Sequence, residues 1–474
     1  MKQMIFFLCL FMTCAGVHAQ EQTSPWTLEE CVDYAREHNL NLALSYLDQR
    51  AANTEARRIR HSRWPSLSAS SNFGYNFGRT IDPTSNEFIT TGLGFNSISV
   101  NSGLTLFNYN RINNSIRQAG IDQQVAALNY EQSELDLSLQ IANLYLNALL
   151  AKENEKIAET QYKNVENQLD RTSRLVQSGA QPKAAEYELR AELAAQKQQW
   201  VNAENNAYLA LLQLKQALQL EIDTPFDIAA PPADVQVESM EVRSVTEIFE
   251  RSLATQPVYR AAEMNVQSAR LGRKISQSAF FPSLSLGLNV NSNYSTQGRF
   301  LEGTELQTQR VPAQFQGEMG ELTFLSASPT FVTPGWLEQM DNNLGFGFAL
   351  QLGIPIYSNY NNRANVQQAK IQRLRAERQL DLQEQTIRID VERAVADLRA
   401  ASKSYEASQS AFEAAQIAFE NTQKQFDLGS ASAFDFFQSQ QRLQSAQLQM
   451  SVSKYDYLFR QKIVDFYLGN PIKL

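Results

Sequence analysis

The chain has 474 residues, with 42 Lys and Arg against 50 Asp and Glu, so its formal net charge is -8. The two signs are scattered and no basic face stands out, which argues against nucleic acid as a partner. Past the leader no run of eighteen apolar residues occurs, so no membrane-spanning helix is expected, although spanning strands carry a much weaker signal per segment.

Residues 1–19 read as a secretory signal. Lys2 supplies the positive start, Ile5 to Met12 the apolar stretch and Val17-His18-Ala19 the cleavage site. Cleavage after Ala19 would begin the mature chain at Gln20. The competing reading is acylation at Cys14, but Met12-Thr13 lacks the small residue that a lipobox wants directly before its cysteine. Cys9 and Cys14 leave with the signal. Cys31 then stands alone, so no internal disulfide is possible, and it reads as a buried small hydrophobe.

Thr27 to Arg63 reads as helix, with Thr27 and Glu30 forming a capping box. Then the period changes to two. In Pro65 to Phe77, Leu67, Ala69, Ser71, Phe73, Tyr75 and Phe77 alternate with Ser66, Ser68, Ser70, Asn72, Gly74 and Asn76. Phe95 to Phe107 repeats the pattern, with Ile98, Val100, Leu104 and Leu106 on one face. Such segments have the length and alternation of tilted membrane strands. From Arg111 to Ser178 no proline occurs and the period is helical. Seam positions at steps of four and three run from Leu137, Ile141 and Leu144 through Glu155 to Thr172 and Val176, the spacing of knobs-into-holes packing. Gly179 is placed for a left-handed helix end, and Pro182 opens a return helix over about 182–219.

Residues 223–243, with Pro225, Pro231 and Pro232, read as a linker. The parts then recur. A helix is expected from Ser244 to Ser278. Strands are expected over Pro282–Tyr294 and Asn342–Tyr357, separated by a loop at 295–341. A second long helix covers about 361–428, with a seam from Ile387 and Val391 to Thr422 and Phe426. Gly429 ends it, and Ser432 with Asp435 caps a return helix over about 432–468. Trp64-Pro65-Ser66-Leu67-Ser68 aligns with Phe281-Pro282-Ser283-Leu284-Ser285 at a shift of 217, and Gln118-Ala119 and Gly179 align with Gln368-Ala369 and Gly429 at a shift of 250. The chain is therefore an internal duplication, residues 20–222 and 244–474.

The strand faces opposite the apolar ones are Ser, Asn and Gly, with almost no charge, and aromatic residues gather near the strand ends. A soluble sandwich with one buried face is the plainer alternative, but its solvated face would usually carry charges. Spanning strands must close. Four strands per chain close as eight in a dimer, which side chains fill, or as twelve in a trimer, which leaves a channel. The expected fold is mainly α with transmembrane β: a 12-stranded trimeric barrel continued by a helical barrel.

This order of parts, with the opening Trp26-Thr27-Leu28-Glu29-Glu30-Cys31, resembles the TolC-type outer-membrane efflux family over essentially the whole mature chain. The resemblance implies a homotrimeric channel-tunnel in outer-membrane lipid. Its helices would lie in the periplasm, and a periplasmic adaptor protein would connect it to an inner-membrane transporter. It also implies a periplasmic tip, with gate and adaptor docking, at Gly179, Gln181, Pro182, Phe426, Gly429, Ala431 and Asp435. Members often carry an acidic residue six positions after the tip glycine, as Asp435 stands here, whereas the first copy has Ala185. An Arg two positions after the glycine, present in some members, is replaced by Gln181 and Ala431, and a Tyr three before it by Phe426, so the polar latch of those members does not carry over. A helix-capping carboxylate is the plainer reading of Asp435.

Catalytic patterns are missing. The mature chain has only His38 and His61, both on the first expected helix, and no HExxH, P-loop or GxSxG occurs. No enzyme and no cofactor is expected. The leading function is a passive exit duct for efflux or type I secretion. The alternatives are a non-conducting coiled-coil spacer anchored in the outer membrane, and a soluble enzyme or binding protein using the sheet as scaffold.

Overall fold

The computed structural model describes residues 25–82, 86–90, 92–229, 244–315, 318–428 and 430–470. The expected signal, most of the linker and Gly429 lie outside the described residues. Two compact units emerge, and each draws on both copies of the repeat. One comprises Met1–Gln49, Ala126–Ala262 and Leu380–Leu474; the other comprises Arg50–Val125 and Glu263–Gln379.

The first unit is helical. It contains α1 (Leu28–His38), the start of α2 (Leu40–His61), most of α3 (Arg111–Gln177), α4 (Lys183–Leu218), α5 (Val245–Thr255), the start of α6 (Pro257–Gln277), much of α8 (Asn361–Asp427) and α9 (Ala433–Tyr467). The long helices α3 and α8 have 67 residues each. Every seam position named above is buried or half-buried, including Glu155. Two apolar clusters hold the unit together. One joins Cys31, Val32 and Ala35 of α1 to Ile141, Tyr145 and Ala148 of α3 and to Leu214 and Leu218 of α4. The other joins Ile248 of α5 to Val391, Val395 and Leu398 of α8 and to Val464 and Leu468 of α9. These are the same positions under the shifts of 217 and 250, so the duplication extends to the packing.

Thr27 caps α1 as the sequence suggests: its hydroxyl accepts from the Glu30 amide at 3.3 Å and its amide donates to Glu30 Oε2 at 2.8 Å. Cys31 is fully buried, and that burial pushes its thiol up to about 12. The single helix expected over Thr27–Arg63 is corrected to two. At Asn39 the backbone turns extended and the Asn39 Oδ1 accepts from the amides of Asn41 and Leu42, starting α2 afresh. The helix expected over Ser244–Ser278 likewise breaks at Gln256. There Pro257 takes the first helical position and holds its predecessor extended. The side chains at this break satisfy the last carbonyls of α9: Arg251 Nε donates to Leu468, Ser252 Oγ to Tyr467 and Gln256 Nε2 to Phe466, at 2.9, 2.8 and 3.0 Å.

The second unit contains the sheet, in the order β1 (Ser66–Asn76), β4 (Leu93–Phe107), β5 (Ser283–Ser295) and β8 (Gly345–Gly353), antiparallel throughout. A small hairpin, β2 (Thr80–Ile81) with β3 (Phe88–Ile89), lies in the first connection. The second connection was expected to be a loop over 295–341. It is a long hairpin, β6 (Phe300–Phe315) with β7 (Glu318–Val332), followed by the short helix α7 (Trp336–Asn342). Its Gly, Gln and Thr content hid an irregular alternation, and the Arg310–Glu321 ion pair at 3.9 Å supplements the backbone pairing.

Two stability predictions follow from this packing. Gly469 ends α9 at φ +78°, and a Cβ there would approach Thr255 Cγ2 at 3.0 Å. Gly469→Ala should therefore cost roughly 2 kcal/mol, about 1 of it from the left-handed backbone alone, as read by chemical denaturation in detergent. Gly179→Ala, at the same φ with open space around it, should cost only the backbone share. Glu155 is the second test. Partial burial and then the Glu204 charge raise its carboxyl above the usual 4.5. A raised carboxyl pKa favours folding while the group is protonated, and that stability is lost as pH rises through the folded value. Glu155→Gln should stabilise the protein at pH 7, and the gain should vanish below about pH 4; an equal gain at both pH values contradicts the assignment.

Candidate functional site

The sheet is two-faced, and the register makes it so across all four strands. Ser66–Gly103–Gly287–Ala349, Ser68–Asn101–Asn289–Gly347 and Ser70–Ser99–Asn291–Gly345 are continuous rows of directly paired residues on one face. On the other face the rows are Leu67–Ser102–Leu288–Phe348, Ala69–Val100–Val290–Phe346 and Leu104–Leu286–Leu350. No residue of β1, β4, β5 or β8 is charged. Leu67, Leu288, Val290, Phe348 and Leu350 are all exposed, and Phe346 reaches 86%. A contiguous apolar surface of this kind needs a nonaqueous neighbour. The neutral face suits water: Ser70 and Ser99 share a hydrogen bond at 2.8 Å, and Asn289 Nδ2 donates to Asn291 Oδ1 at 3.3 Å. Among the described residues, β1 and β8 each pair on one side only.

The turns of the helical unit hold the remaining expected site residues. Gly179 sits at φ +78°, with its amide donating to Val176 O at 3.0 Å and the Ala180 amide to Leu175 O at 2.8 Å. This paired arrangement is the glycine-ended helix terminus that the sequence suggests. Gln181 is half-buried and Pro182 exposed. Pro182 precedes the helix as its N-cap, extended at ψ 149°, instead of occupying the first helical position. In the second turn the Ser430 amide donates to Gln425 O at 2.9 Å, the counterpart of the Ala180 bond. Ala431 is half-buried.

Asp435 is exposed and engaged as a cap. Its amide donates to Ser432 Oγ at 3.2 Å, and its carboxylate accepts from the Ser432 amide and hydroxyl at 3.3 and 2.6 Å. Phe426 stacks on Phe436 at 4.8 Å, and Phe436 also meets Phe419 and Phe437. The second turn is thus stapled by aromatic rings. The structure brings Phe426 and the α9 start together inside one hairpin; no hydrogen bond or ion pair between described residues joins 179–182 to 426–435. Two residues that sequence reasoning passed over stand out: Leu428 and Phe434 flank this turn, 84% and 71% exposed. Their signal was two large apolar residues beside a Gly-Ser-Ala-Ser stretch, at positions where the first copy has Ser178 and Ala184.

Each histidine lies one turn after a backbone carbonyl: His38 Nδ1 is 3.0 Å from Tyr34 O, and His61 Nδ1 is 2.8 Å from Arg57 O. No group of three or more His, Cys, Asp or Glu among the described residues could hold a metal ion. Nor is any helix of the described residues long and apolar enough to cross a membrane.

Comparison with known proteins matches this geometry. The sequence profile described as Outer membrane efflux protein covers residues 31–219 and 248–470. The fold is shared with CusC, whose structure is 15% identical and superposes at a TM-score of 0.73 over 96% of each chain. VceC of Vibrio cholerae is 12% identical, with a TM-score of 0.72 over 94% of this chain and 97% of that one. The open state of the MtrE outer membrane channel of Neisseria gonorrhoeae is 19% identical, with a TM-score of 0.71 over 94% of this chain and 89% of that one. No curated protein matches the chain in sequence. With the profile spanning both copies of the repeat, this chain belongs to the outer membrane efflux protein family and is an efflux component of the outer membrane, not an enzyme.

Proposed function

We propose that three copies of this chain close a twelve-stranded barrel through the free sides of β1 and β8, making a passive exit duct. The observation that carries this reading is the back-to-back sheet: neutral Ser, Asn and Gly rows on one face and exposed Leu, Val and Phe rows on the other, with a strand at each end that, among the described residues, pairs on one side only. In a bilayer each unpaired backbone group costs several kcal/mol, so such a sheet must close on copies of itself. Three copies leave a channel where two would fill with side chains. The hairpin ends of the strands then face outside the cell, and the helical unit lies in the periplasm of a chain cleaved after Ala19.

The duct takes substrates from an inner-membrane pump through a periplasmic adaptor, in a tripartite efflux or type I secretion assembly. Nothing in the chain resembles a nucleotide site, so the energy comes from the pump. The turns at Gly179, Gln181 and Pro182 and at Phe426, Gly429, Ala431 and Asp435 form the gate and adaptor-docking tip. Opening is a shift between closed and open populations that the adaptor biases. Leu428 and Phe434 add an apolar contact of the kind that anchors interfaces.

Purified trimers in planar bilayers should conduct, with Asp435→Ala increasing the open fraction. Trimers that never conduct, with or without that substitution, overturn the duct. For the tip, the pair Leu428→Glu and Phe434→Glu should weaken adaptor binding at least tenfold, about 1.4 kcal/mol or more. Pull-down with the cognate adaptor reads this, while conduction by the variant shows that the trimer still assembles.

A further inference from the structure

The apolar face of the sheet changes character toward the hairpin ends of the strands. Past the Ala69–Val100–Val290–Phe346 row come Ser71–Ile98–Ser292 and then Phe73–Asn96–Tyr294. Here α7 lies against the sheet. Trp336 Nε1 donates to Asn96 Oδ1 at 3.2 Å, and Ser292 Oγ donates to Met340 O at 2.6 Å. Asn96 and Ser292 point from the same face as Val100 and Val290, so the helix covers the polar end of the apolar face, and both residues are buried.

Gln339 locks the helix in place. Its fully buried amide accepts from the Ser295 amide at 3.0 Å and donates to Ser295 O at 3.0 Å and Pro334 O at 2.9 Å. It thereby takes the pairing position beside β5 where β8 has ended. With that side turned inward, Trp336 and Leu337 remain 42% and 76% exposed.

The spacing gives these side chains a neighbour. Trp64, 72% exposed, precedes β1 at the helix-joined end of the sheet. Phe73 is paired with Asn96, the residue that holds Trp336. The nine steps from Trp64 to Phe73, the first two of them ahead of β1, span about 31 Å at strand rise. A tilt of about 40° reduces this to about 23 Å, close to the ~25 Å apolar band that aromatic residues border in outer-membrane barrels. Charge resumes just beyond each limit, at Arg63 and at Arg79.

We infer that α7 is an interfacial anchor: Trp336 and Leu337 seat in the lipid at the boundary between headgroups and acyl chains of the outer leaflet, on the outside of the barrel. The occupant is lipid, because the patch continues the exposed apolar rows below it and ends where charge begins. This rests on the reading that those rows face lipid. Amphipathic indoles with a satisfied N–H and an exposed ring are suited to this depth.

The test is depth-dependent fluorescence quenching of full-length trimers in phosphatidylcholine vesicles carrying bromine high or low on the acyl chain. The difference between the parent protein and Trp336→Phe isolates one indole, with Trp26, Trp64 and Trp200 unchanged in both. Its quenching should be roughly twofold stronger with the shallow bromines than with the deep ones, as for an interface aromatic. Phe346→Trp, in the middle of the band, should show the reverse order. If Phe346→Trp is quenched and Trp336 is quenched by neither lipid, the anchor is overturned while the lipid-facing sheet stands. If neither indole is quenched, the reading of the sheet itself fails, and the anchor with it.

Discussion

The fate of the unpaired backbone groups on β1 and β8 governs the rest of this structure. Water would solvate them at no great cost, but with the exposed Leu, Val and Phe rows beside them facing lipid, as proposed, nothing else can. The absence of any charged side chain from the four strands meets the same demand, since a charge on the lipid side would cost about 2–4 kcal/mol at mid-bilayer. Gln339 answers it locally. Where β8 stops, a side-chain amide supplies the donor and acceptor that a strand would have given Ser295.

The helical unit solves a different problem with the same economy of parts. A short helix, the middle of a long one and the end of a return helix make one apolar cluster, and the duplication makes it twice. Each cluster is anchored where helices end, and helix ends are where backbone groups lack partners. In the second copy, Arg251, Ser252 and Gln256 satisfy three carbonyls at the end of α9. In the first copy Asn39 Nδ2, the counterpart of Gln256, donates to Ala217 O near the end of α4 at 3.5 Å, and outside the helices the Tyr145 hydroxyl bonds Trp26 O and Ala229 O at 3.1 and 2.7 Å. Burial pushes that phenol well above its ordinary range, so it stays a neutral donor.

The sequence was most legible where one periodicity ran long. Alternation in Pro282–Tyr294, broken only at Ser292, and the three-four spacing from Ile387 to Phe426 left little room for another fold, and the Thr27–Glu30 and Ser432–Asp435 boxes marked helix starts by local chemistry alone. Breaks were less visible. Asn39 interrupts a pattern that stays apolar on one face through Leu42, and only its side-chain bonds reveal the new start. Pro257 was a plainer signal, because a proline fixes its predecessor's backbone. The β6–β7 hairpin escaped because both of its faces mix polar and apolar residues, so no alternation marks it. At the second turn, no periodicity marks Leu428 and Phe434 as exposed; exposure is a property of the turn and not of the residue.

Because α3 and α8 are both 67 residues long and share one seam phase, the two copies are metrically tied. One residue inserted in either would rotate its far seam by about 100° and lengthen it by about 1.5 Å. Only blocks near seven residues keep the seam inward. Length can therefore change as matched heptads in both copies, or in the connections between strands, without turning the seam outward.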